Sequence, residues 1–249
     1  MSDIKKLLAR FPKTRPPLSP KEAPIHGQLM RANRARVTFF TRISDGLESW
    51  MHRQAAQRGA IPAAHGLLEI GAGTFNHVRF EPSETRYEAI EPDHEVYAGT
   101  AEHRRVATIY DDIAEVDPAQ RYDRIVSIAT LEHLTELPFT LAKAGLLLAP
   151  GGIMQCGIPS EGGLLWGLSW RMTVAVDLYL KTGHDWTEHM RHEHINTAPE
   201  IIALIHYFFG DVRLTRFPLP LHHASLYVAI TARDPDLTRC RDYLATYQR

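Results

Sequence analysis

The stretch HGLLEIGAGTFNHV, residues 65–78, joins an apolar run that ends in an acid to two glycines, Gly71 and Gly73. Glycines at this spacing let the backbone approach a ligand closely, and the amides of the next segment point at it. Phe75 stands where many such turns carry a third glycine, and Asn76 stands where the dinucleotide fingerprint has one. The stretch therefore predicts a ligand-binding turn that suits a dinucleotide's pyrophosphate poorly.

Short apolar strands alternate with helical or turn-rich segments through the middle of the chain. This alternation predicts an α/β fold with a parallel sheet covered by helices on both faces. The stretch from Gly71 to Arg86 leaves room for a first crossover helix of only a few turns. Two last strands, 211–217 and 225–232, are joined by only PLPLHHA, so the last strand should be antiparallel. The earlier strands are expected at 66–70, 86–90, 106–110, 123–129 and 153–158.

Composition limits the class of protein. The chain has 249 residues, of which 44% are hydrophobic and 23% are charged, so it can bury a sizeable core. Its formal net charge of −1 gives no basic field of the kind that nucleic-acid binders show. The two cysteines form no metal or redox spacing, which suits a reducing compartment, and the N-terminus carries no signal pattern. Because the apolar stretch 163–180 contains Arg171 and Asp177, we expect no transmembrane span and a cytoplasmic protein.

Further motifs follow the later strands. Glu91 ends the second strand, where a carboxylate can accept both hydroxyls of a ribose, and Asp112 follows the third. SIATLEHL (127–134) follows the fourth strand, and LLLAPGGIMQCGIP (146–159) leads into the fifth. With the final hairpin, these motifs resemble the class I S-adenosylmethionine-dependent methyltransferases, most closely the small-molecule branch of type 11/12. The resemblance covers residues 63–233 and implies a Rossmann-like seven-stranded sheet, with S-adenosylmethionine as cofactor.

The resemblance also implies a cofactor site. Adenosylmethionine carries no phosphate, so the bulk of Phe75 is tolerable in its turn. Glu69 would face the cofactor's amino group, Glu91 would bind the ribose hydroxyls, and Asp112 would accept a hydrogen bond from the adenine amino group. The other implied contacts are Gly71, Ala72 and Gly73 along the methionine moiety, Ile113 on the adenine ring, and Ala129 near the methionine part or the transferring methyl. For each acid, the alternative is an ordinary solvated residue at a strand end.

Two of the fourteen histidines are candidates for a catalytic base. His133 lies in LEHL beside the expected methyl group, and His194 opens the segment after an insertion at 160–193, where related methyltransferases often place a histidine facing the acceptor. A hydroxyl acceptor usually needs such a base, whereas an amine need only arrive unprotonated. The structural alternatives are local packing for His133 and a hydrogen bond that holds the insertion for His194.

Other polar residues of the insertion are candidates for substrate binding. We assign this role to Glu161, at the end of the fifth strand, and to His184. The cluster HDWTEHMRHEH (184–194) matches no zinc spacing firmly, so we expect no metal and interpret it as a polar lid. Three interpretations are open for the helix predicted at 166–181. It packs on the core, covers an acceptor pocket, or contacts a lipid-carried substrate.

The chain divides into three parts on this interpretation. Residues 1–62 form a basic, proline-rich arm and a helical cap, the latter predicted from His26 to Gln57. Residues 63–233 form the methyltransferase domain with a lid insertion at about 160–193, and residues 234–249 form a C-terminal tail.

The expected activity is methyl transfer to a small polar acceptor, a hydroxyl of a sugar or glycan precursor, because the site region is rich in His and Glu. N-methylation of a small metabolite and a non-catalytic module that keeps the fold are the alternatives. An NAD-dependent enzyme is disfavoured by the missing third glycine and by the acids Glu69 and Asp112. We expect no nucleic-acid partner, and the sequence leaves the oligomeric state and the acceptor open.

Overall fold

The computed structural model describes residues 2–29, 46, 49–56 and 65–247 of the chain. Of the helix predicted from His26 to Gln57, residues 26–29 and 49–56 are helical. The rest of that prediction lies outside the described residues, apart from Gly46, which is also helical.

One seven-stranded sheet runs through the described part of the chain, in the order β3-β2-β1-β4-β5-β7-β6. β1 to β5 are parallel, and β7 is antiparallel to both β5 and β6. The α/β, mostly parallel Rossmann-like fold predicted from the sequence is therefore confirmed. The strands are β1 Leu67–Ile70, β2 Tyr87–Ile90, β3 Val106–Tyr110, β4 Tyr122–Ile128, β5 Leu148–Pro159, β6 Phe209–Pro218 and β7 Ser225–Pro235.

The strand order reverses next to β1, which pairs with β2 on one side and β4 on the other. Ligands of open α/β sheets bind outside the carboxyl ends of the strands at such a switch point. The glycine turn follows β1 at this end, so the loops after β1, β2, β3 and β4 are the expected location of a ligand site.

Helices and short turns cover the two faces of the sheet. One face carries a large core of buried aliphatic and aromatic residues from α3, α7 and α8, and the other carries a smaller core around Met51, Phe75 and Tyr87. α7 begins with a capping box between Thr197 and Glu200. The helices are α1 Ser2–Leu8, α2 His94–Tyr97, α3 Leu137–Leu147, α4 Leu164–Trp170, α5 Val176–Thr182, α6 Trp186–Glu193, α7 Ala198–Phe208 and α8 Leu237–Thr246.

The first crossover contains a 3₁₀ turn, Asn76–Phe80, rather than the short α-helix expected from the sequence. A buried polar cluster holds it in place. His77 Nε2 lies 2.9 Å from Glu81 Oε1, and Arg124 Nη1 donates to Glu81 Oε2 at 2.6 Å. Because this ion pair is buried beneath the turn, it fixes the crossover without a longer helix.

The helix predicted at 166–181 is divided into three parts. α4 is followed by a π-helical segment, Arg171–Ala175, and then by α5, which ends at Gly183 with a φ of 71°. Glycine adopts this left-handed conformation at a helix end without steric cost.

The last part of the chain, expected as a C-terminal tail, is folded over its described residues. β7 extends to Pro235, and the Asp236 side chain accepts a hydrogen bond from the amide of Arg239 at the start of α8. Cys240 on α8 is fully buried, and it lies so close to α3 that a Cβ on Gly145 would be 2.9 Å from its Sγ. The C-terminal tail expected at 234–249 thus contributes to the main core.

None of the helices in the described residues has the length and apolar character needed to cross a membrane.

Candidate active site

The glycine turn after β1 is built from three left-handed residues at alternate positions. The φ angles are +72° at Gly71, +52° at Gly73 and 60° at Phe75. Phe75 is therefore in a conformation that favours glycine, and burial of its ring compensates for the strain. The ring is fully buried, with its centroid 5.0 Å from that of Tyr97. The third glycine is thus replaced by an aromatic residue without loss of the turn.

We expect Phe75→Gly to be more stable than Phe75→Ala by about 1 kcal/mol, although both lose about 3–5 kcal/mol of packing. At positions with an ordinary negative φ the Ala variant is the more stable of the two, because glycine costs more backbone entropy than alanine. Urea unfolding of the two variants measures the difference. The matched control is Phe139 in α3, where the Ala variant should be the more stable one. If alanine were favoured at both positions, Phe75 would not be under left-handed strain.

The two glycines of the turn face different surroundings. A Cβ on Gly71 would lie 2.2 Å from Cγ2 of Thr130, so this glycine allows the turn to pack against the segment after β4. A Cβ on Gly73 would meet nothing within 4 Å. The backbone of Gly73 therefore borders open space, as a turn that cradles a ligand requires.

Acids at the ends of β2 and β3 flank this space. Glu91 is 8% exposed, and its two carboxylate oxygens accept from the amides of Gly73 at 2.7 Å and Asp93 at 2.9 Å. Asp112 follows β3 and accepts from the amide of Ala114 at 2.7 Å, while Ile113 is buried beside it. These two acids therefore lie at the carboxyl ends of neighbouring parallel strands, and each accepts hydrogen bonds from backbone amides.

Glu69 lies below the turn. It is 2% exposed and accepts a hydrogen bond from the hydroxyl of Tyr87. Burial raises the pKa of Glu69 to about 8, so the carboxyl holds a proton at neutral pH. Ala72 is also buried, whereas Ala129, with a φ of 50°, is exposed at the end of β4.

The segment after β4 connects the turn to a histidine pair. Thr130 Oγ1 donates to the carbonyl oxygen of Gly71 at 3.2 Å, and the amide of His133 donates to the carbonyl oxygen of Thr130 at 2.9 Å. The rings of His133 and His194 lie 4.7 Å apart between centroids, nearly perpendicular to each other. Two histidines distant in sequence are thus in contact beside the glycine turn.

Hydrogen bonds set the protonation of each ring. His133 Nδ1 lies 2.9 Å from the backbone carbonyl oxygen of Glu193, which can only accept, so Nδ1 carries the proton and Nε2 has the lone pair. Glu132 Oε1 lies 3.9 Å from Nε2, beyond hydrogen-bond distance. Burial lowers the pKa of His133 below the ordinary histidine value. Its ring is therefore neutral at pH 7, with Nε2 ready to accept a proton.

His194 has the complementary arrangement. Its Nδ1 lies 3.0 Å from Glu161 Oε2. Burial lowers the pKa of His194 to about 4, and burial raises the pKa of Glu161 to about 8. Both shifts favour neutral groups, so the Glu161 carboxyl donates to Nδ1 and the ring proton is on Nε2. The pair of rings thus presents one acceptor nitrogen and one donor nitrogen.

Glu132 belongs to the same cluster, although the sequence pattern did not single it out. It is 1% exposed, its Oε2 has no hydrogen-bond partner among the described residues, and burial raises its pKa to about 7. Its backbone carbonyl accepts from the amides of Ile195 and Asn196, which ties the end of the insertion to β4. In the sequence, its position within LEHL (131–134) was the feature that could have identified it as a site residue.

His184 does not join this cluster. Its Nδ1 lies 2.9 Å from Glu22 Oε2, and the same oxygen lies 3.1 Å from His189 Nε2. Glu22 is 2% exposed and comes from the N-terminal arm, so these histidines anchor the arm to the insertion.

A third group of side chains lies between the two clusters. Ligand atoms of His26, His192 and Glu193 lie within 4.8 Å of one another, a spacing that a metal ion can occupy. The other oxygen of Glu193 already forms an ion pair with Arg15 at 2.6 Å. The expectation of no metal remains a prediction.

A cavity of about 640 Å³ lies at the opposite end of the sheet, lined by residues such as Lys143, Gly151 and Arg241. It is remote from the glycine turn, because it borders the start of β5 rather than the ends of β1 to β4.

Comparison with known proteins identifies the fold and the cofactor. A family model described as a methyltransferase domain matches residues 39–200, well over half of the chain. The chain belongs to this methyltransferase family. S-adenosylmethionine is accordingly its cofactor, and the protein is an enzyme.

Solved structures of low identity share the fold of this methyltransferase. One is the N-methyltransferase NodS from Bradyrhizobium japonicum with S-adenosylhomocysteine, at 18% identity and a TM-score of 0.54, over 82% of this chain and 91% of that one. Another, from Thermotoga maritima, is described as a possible histamine N-methyltransferase, at 15% identity and a TM-score of 0.54, over 78% and 95%. A third is an O-methyltransferase family protein from Burkholderia thailandensis, at 12% identity and a TM-score of 0.53, over 94% and 67%. The comparison with curated protein sequences gave no significant match.

Proposed function

We propose that this methyltransferase methylates a hydroxyl of a small polar acceptor, a sugar or glycan precursor, with His133 as the general base. The observation that carries the proposal is the fixed tautomer of His133. Its Nδ1–H is held by the carbonyl oxygen of Glu193, which leaves the Nε2 lone pair for the proton of an acceptor hydroxyl. Much of the catalysis of methyl transfer comes from positioning the reactants, and a base adds to it when the acceptor is a hydroxyl.

His194 and Glu161 hold the acceptor in this proposal. With Glu161 protonated, His194 Nε2–H can donate to the acceptor oxygen while His133 accepts its proton. The pKa values of Glu132 and Glu161, about 7 and 8, leave Glu161 largely protonated and Glu132 partly ionised at pH 7, so the donor role of His194 depends on Glu161. N-methylation remains the alternative, since two of the similar structures are named as N-methyltransferases.

The cofactor residues proposed from the sequence fit the geometry of the turn. Open space at Gly73, the hydrogen-bonded carboxylate of Glu91 and the buried Ile113 support a site for an adenosyl group. When bound there, the cofactor supplies an activated methyl group. The proposed contacts are Glu69, Gly71, Ala72 and Gly73 with the methionine part, Glu91 with the ribose, Asp112 and Ile113 with the adenine, and Ala129 near the methyl group.

The insertion at 160–193 is proposed to act as a lid over the acceptor. Trp166 in α4 packs against His194, with 5.5 Å between ring centroids. Arg15 in the N-terminal arm and His26 at the start of the helical cap bind Glu193 at 2.6 and 2.7 Å. These contacts hold the lid against the N-terminal part of the chain. His184, which contacts Glu22 of the arm, is proposed to contribute to substrate binding by positioning the lid.

Product analysis with labelled S-adenosylmethionine tests the function. The purified enzyme is incubated with matched panels of sugar hydroxyl acceptors and small amines, and the methylated atom is identified by mass spectrometry. Methyl transfer to oxygen supports the proposal, and transfer to nitrogen alone favours the N-methylation alternative. Cofactor binding without transfer to any acceptor would favour a non-catalytic module.

The pH dependence of kcat/KM for the acceptor should be bell-shaped. On the acid side, activity falls when His133 gains a proton, below the ordinary histidine pKa of about 6.5, because burial lowers its pKa. On the alkaline side, activity falls near pH 8, where Glu161 loses its proton and His194 Nε2 ceases to be a donor. Initial rates from pH 5 to pH 10 measure both limbs.

Glu161→Gln is the control for this profile. The amide cannot lose a proton, so the alkaline limb should disappear while the acid limb stays. If wild-type activity instead rose with pH through 8, His194 would be the base, because its Nε2 becomes an acceptor only after Glu161 ionises.

A further inference from the structure

The helical part of the lid insertion, residues 164–182, carries a stripe of exposed apolar side chains on its outer face. They recur at four-residue steps through α4, the π-helical segment and α5, and each is between 49% and 78% exposed. This apolar stripe consists of Leu164, Leu168, Met172, Val176 and Leu180, with Leu165 and Tyr179 beside it. Scattered apolar residues on a surface are ordinary, but a contiguous row of this length marks an interaction site.

The stripe is separate from the face that packs on the protein. Trp166 and Gly167 are buried, and the Trp170 ring is packed near Leu29 and Trp186. The helix therefore already has an apolar face for its own fold, and the stripe is a second one.

The loop between β6 and β7 extends the apolar surface at the start of α4. A Cβ on Gly163 would lie 2.7 Å from the carbonyl oxygen of His222, so the loop is in contact with this helix. Leu219 and Leu221 in the loop are 53% and 67% exposed.

Basic residues accompany this surface. Arg171 is exposed next to Met172 of the stripe, and Arg216 lies two residues before the end of β6 at Pro218. Arg213, further from the loop, is paired with Asp211 Oδ2 at 3.4 Å. At the α5 end, Lys21 Nζ donates to the carbonyl oxygen of Gly183 at 3.2 Å and lies 3.6 Å from Glu22 Oε1. The positive charge beside the apolar surface is therefore that of Arg171 and Arg216 at the α4 end.

We propose that the apolar stripe and the β6–β7 loop dock the protein on an anionic lipid bilayer. A helix face with exposed Leu, Met and Tyr side chains beside Arg171 and Arg216 has the chemistry of a segment that lies in the bilayer interface without crossing it. The depression that Val176, Tyr179 and Leu180 line is only about 230 Å³, smaller than a peptide-binding groove, so an extended lipid surface suits the full length of the stripe better. This docking does not depend on the acceptor proposed above.

Flotation with lipid vesicles tests the proposal. The full-length protein is mixed with vesicles of phosphatidylcholine alone or with phosphatidylglycerol added. We expect binding to the anionic vesicles that weakens as salt is raised. The double variant Leu168→Asn/Met172→Asn should lose at least about tenfold in vesicle partitioning, since each side chain removes apolar area from the interface. Leu237→Asn, at a similarly apolar exposed residue on α8, should bind like the wild type.

Circular dichroism and the unfolding midpoint verify that each variant is folded. If the double variant is unstable, Leu180→Asn at the most exposed position of the stripe replaces it. The proposal is overturned if the wild type does not bind anionic vesicles, or if folded stripe variants bind them as well as the wild type does. It is also overturned if sedimentation velocity shows a dimer that the stripe variants dissociate and vesicles do not bind, since the stripe would then contact a second copy.

Discussion

His133→Gln should lower kcat by about 100- to 10 000-fold, the range that a general base contributes, while the Kd for S-adenosylmethionine stays within about twofold. Gln has no nitrogen that can take up the acceptor's proton, and His133 is not among the proposed cofactor contacts. Steady-state kinetics with an identified acceptor and calorimetric titration with the cofactor measure the two quantities.

His206→Gln is the matched control for this substitution, because His206 is exposed on α7 and its loss should leave kcat unchanged. A second comparison is His194→Gln, which should raise the KM of the acceptor more than it lowers kcat. If His194→Gln abolished turnover and His133→Gln retained most of it, the roles of the two histidines would be exchanged.

Gly71→Ala and Gly73→Ala should separate folding from cofactor binding. At Gly71 the new Cβ meets Thr130 at 2.2 Å in a left-handed residue, so we expect a loss of about 2–5 kcal/mol in the free energy of unfolding. At Gly73 the strain alone costs about 1–2 kcal/mol, but the Cβ enters the open space, and the Kd for S-adenosylmethionine should rise by about 10- to 100-fold. Urea unfolding and calorimetric titration measure these effects.

Gly151→Ala is the control for Gly73→Ala. Gly151 has a φ of +77°, and a Cβ at this position would also meet nothing within 4 Å. It lies at the other end of the sheet, however, before the central part of β5. The same backbone strain should therefore leave cofactor affinity unchanged. If Gly73→Ala bound the cofactor like the wild type, the open space would not be the cofactor site.

Local sequence patterns were sufficient for the sheet. Apolar runs separated by turn residues predicted seven strands close to those observed, because parallel strands buried on both faces must be apolar throughout. The short connection PLPLHHA required an antiparallel pair. The resemblance to the methyltransferases assigned Glu91 and Asp112 to a common site, which agrees with the carboxyl edge that parallel strands share.

Patterns of short range were less informative where tertiary contacts stabilise the local structure. Asn76–Phe80 forms a 3₁₀ turn held by the buried pair of Glu81 and Arg124, and Arg124 is distant in sequence. Residues 237–246 were expected within a tail, but α8 is held by the burial of Cys240 against α3.

The sequence by itself determined the sheet and the glycine turn, because strand periodicity and glycine spacing are local properties of the chain. Its resemblance to a methyltransferase family supplied the candidate acids and histidines. Only the tertiary structure decided which of these side chains meet. It put His133 against His194 and left His184 with Glu22, and it buried Phe75 in a left-handed conformation. It also decided which face of the 164–182 helix is exposed. Burial and tautomer depend on neighbours that are far apart in sequence, and no local pattern specifies them.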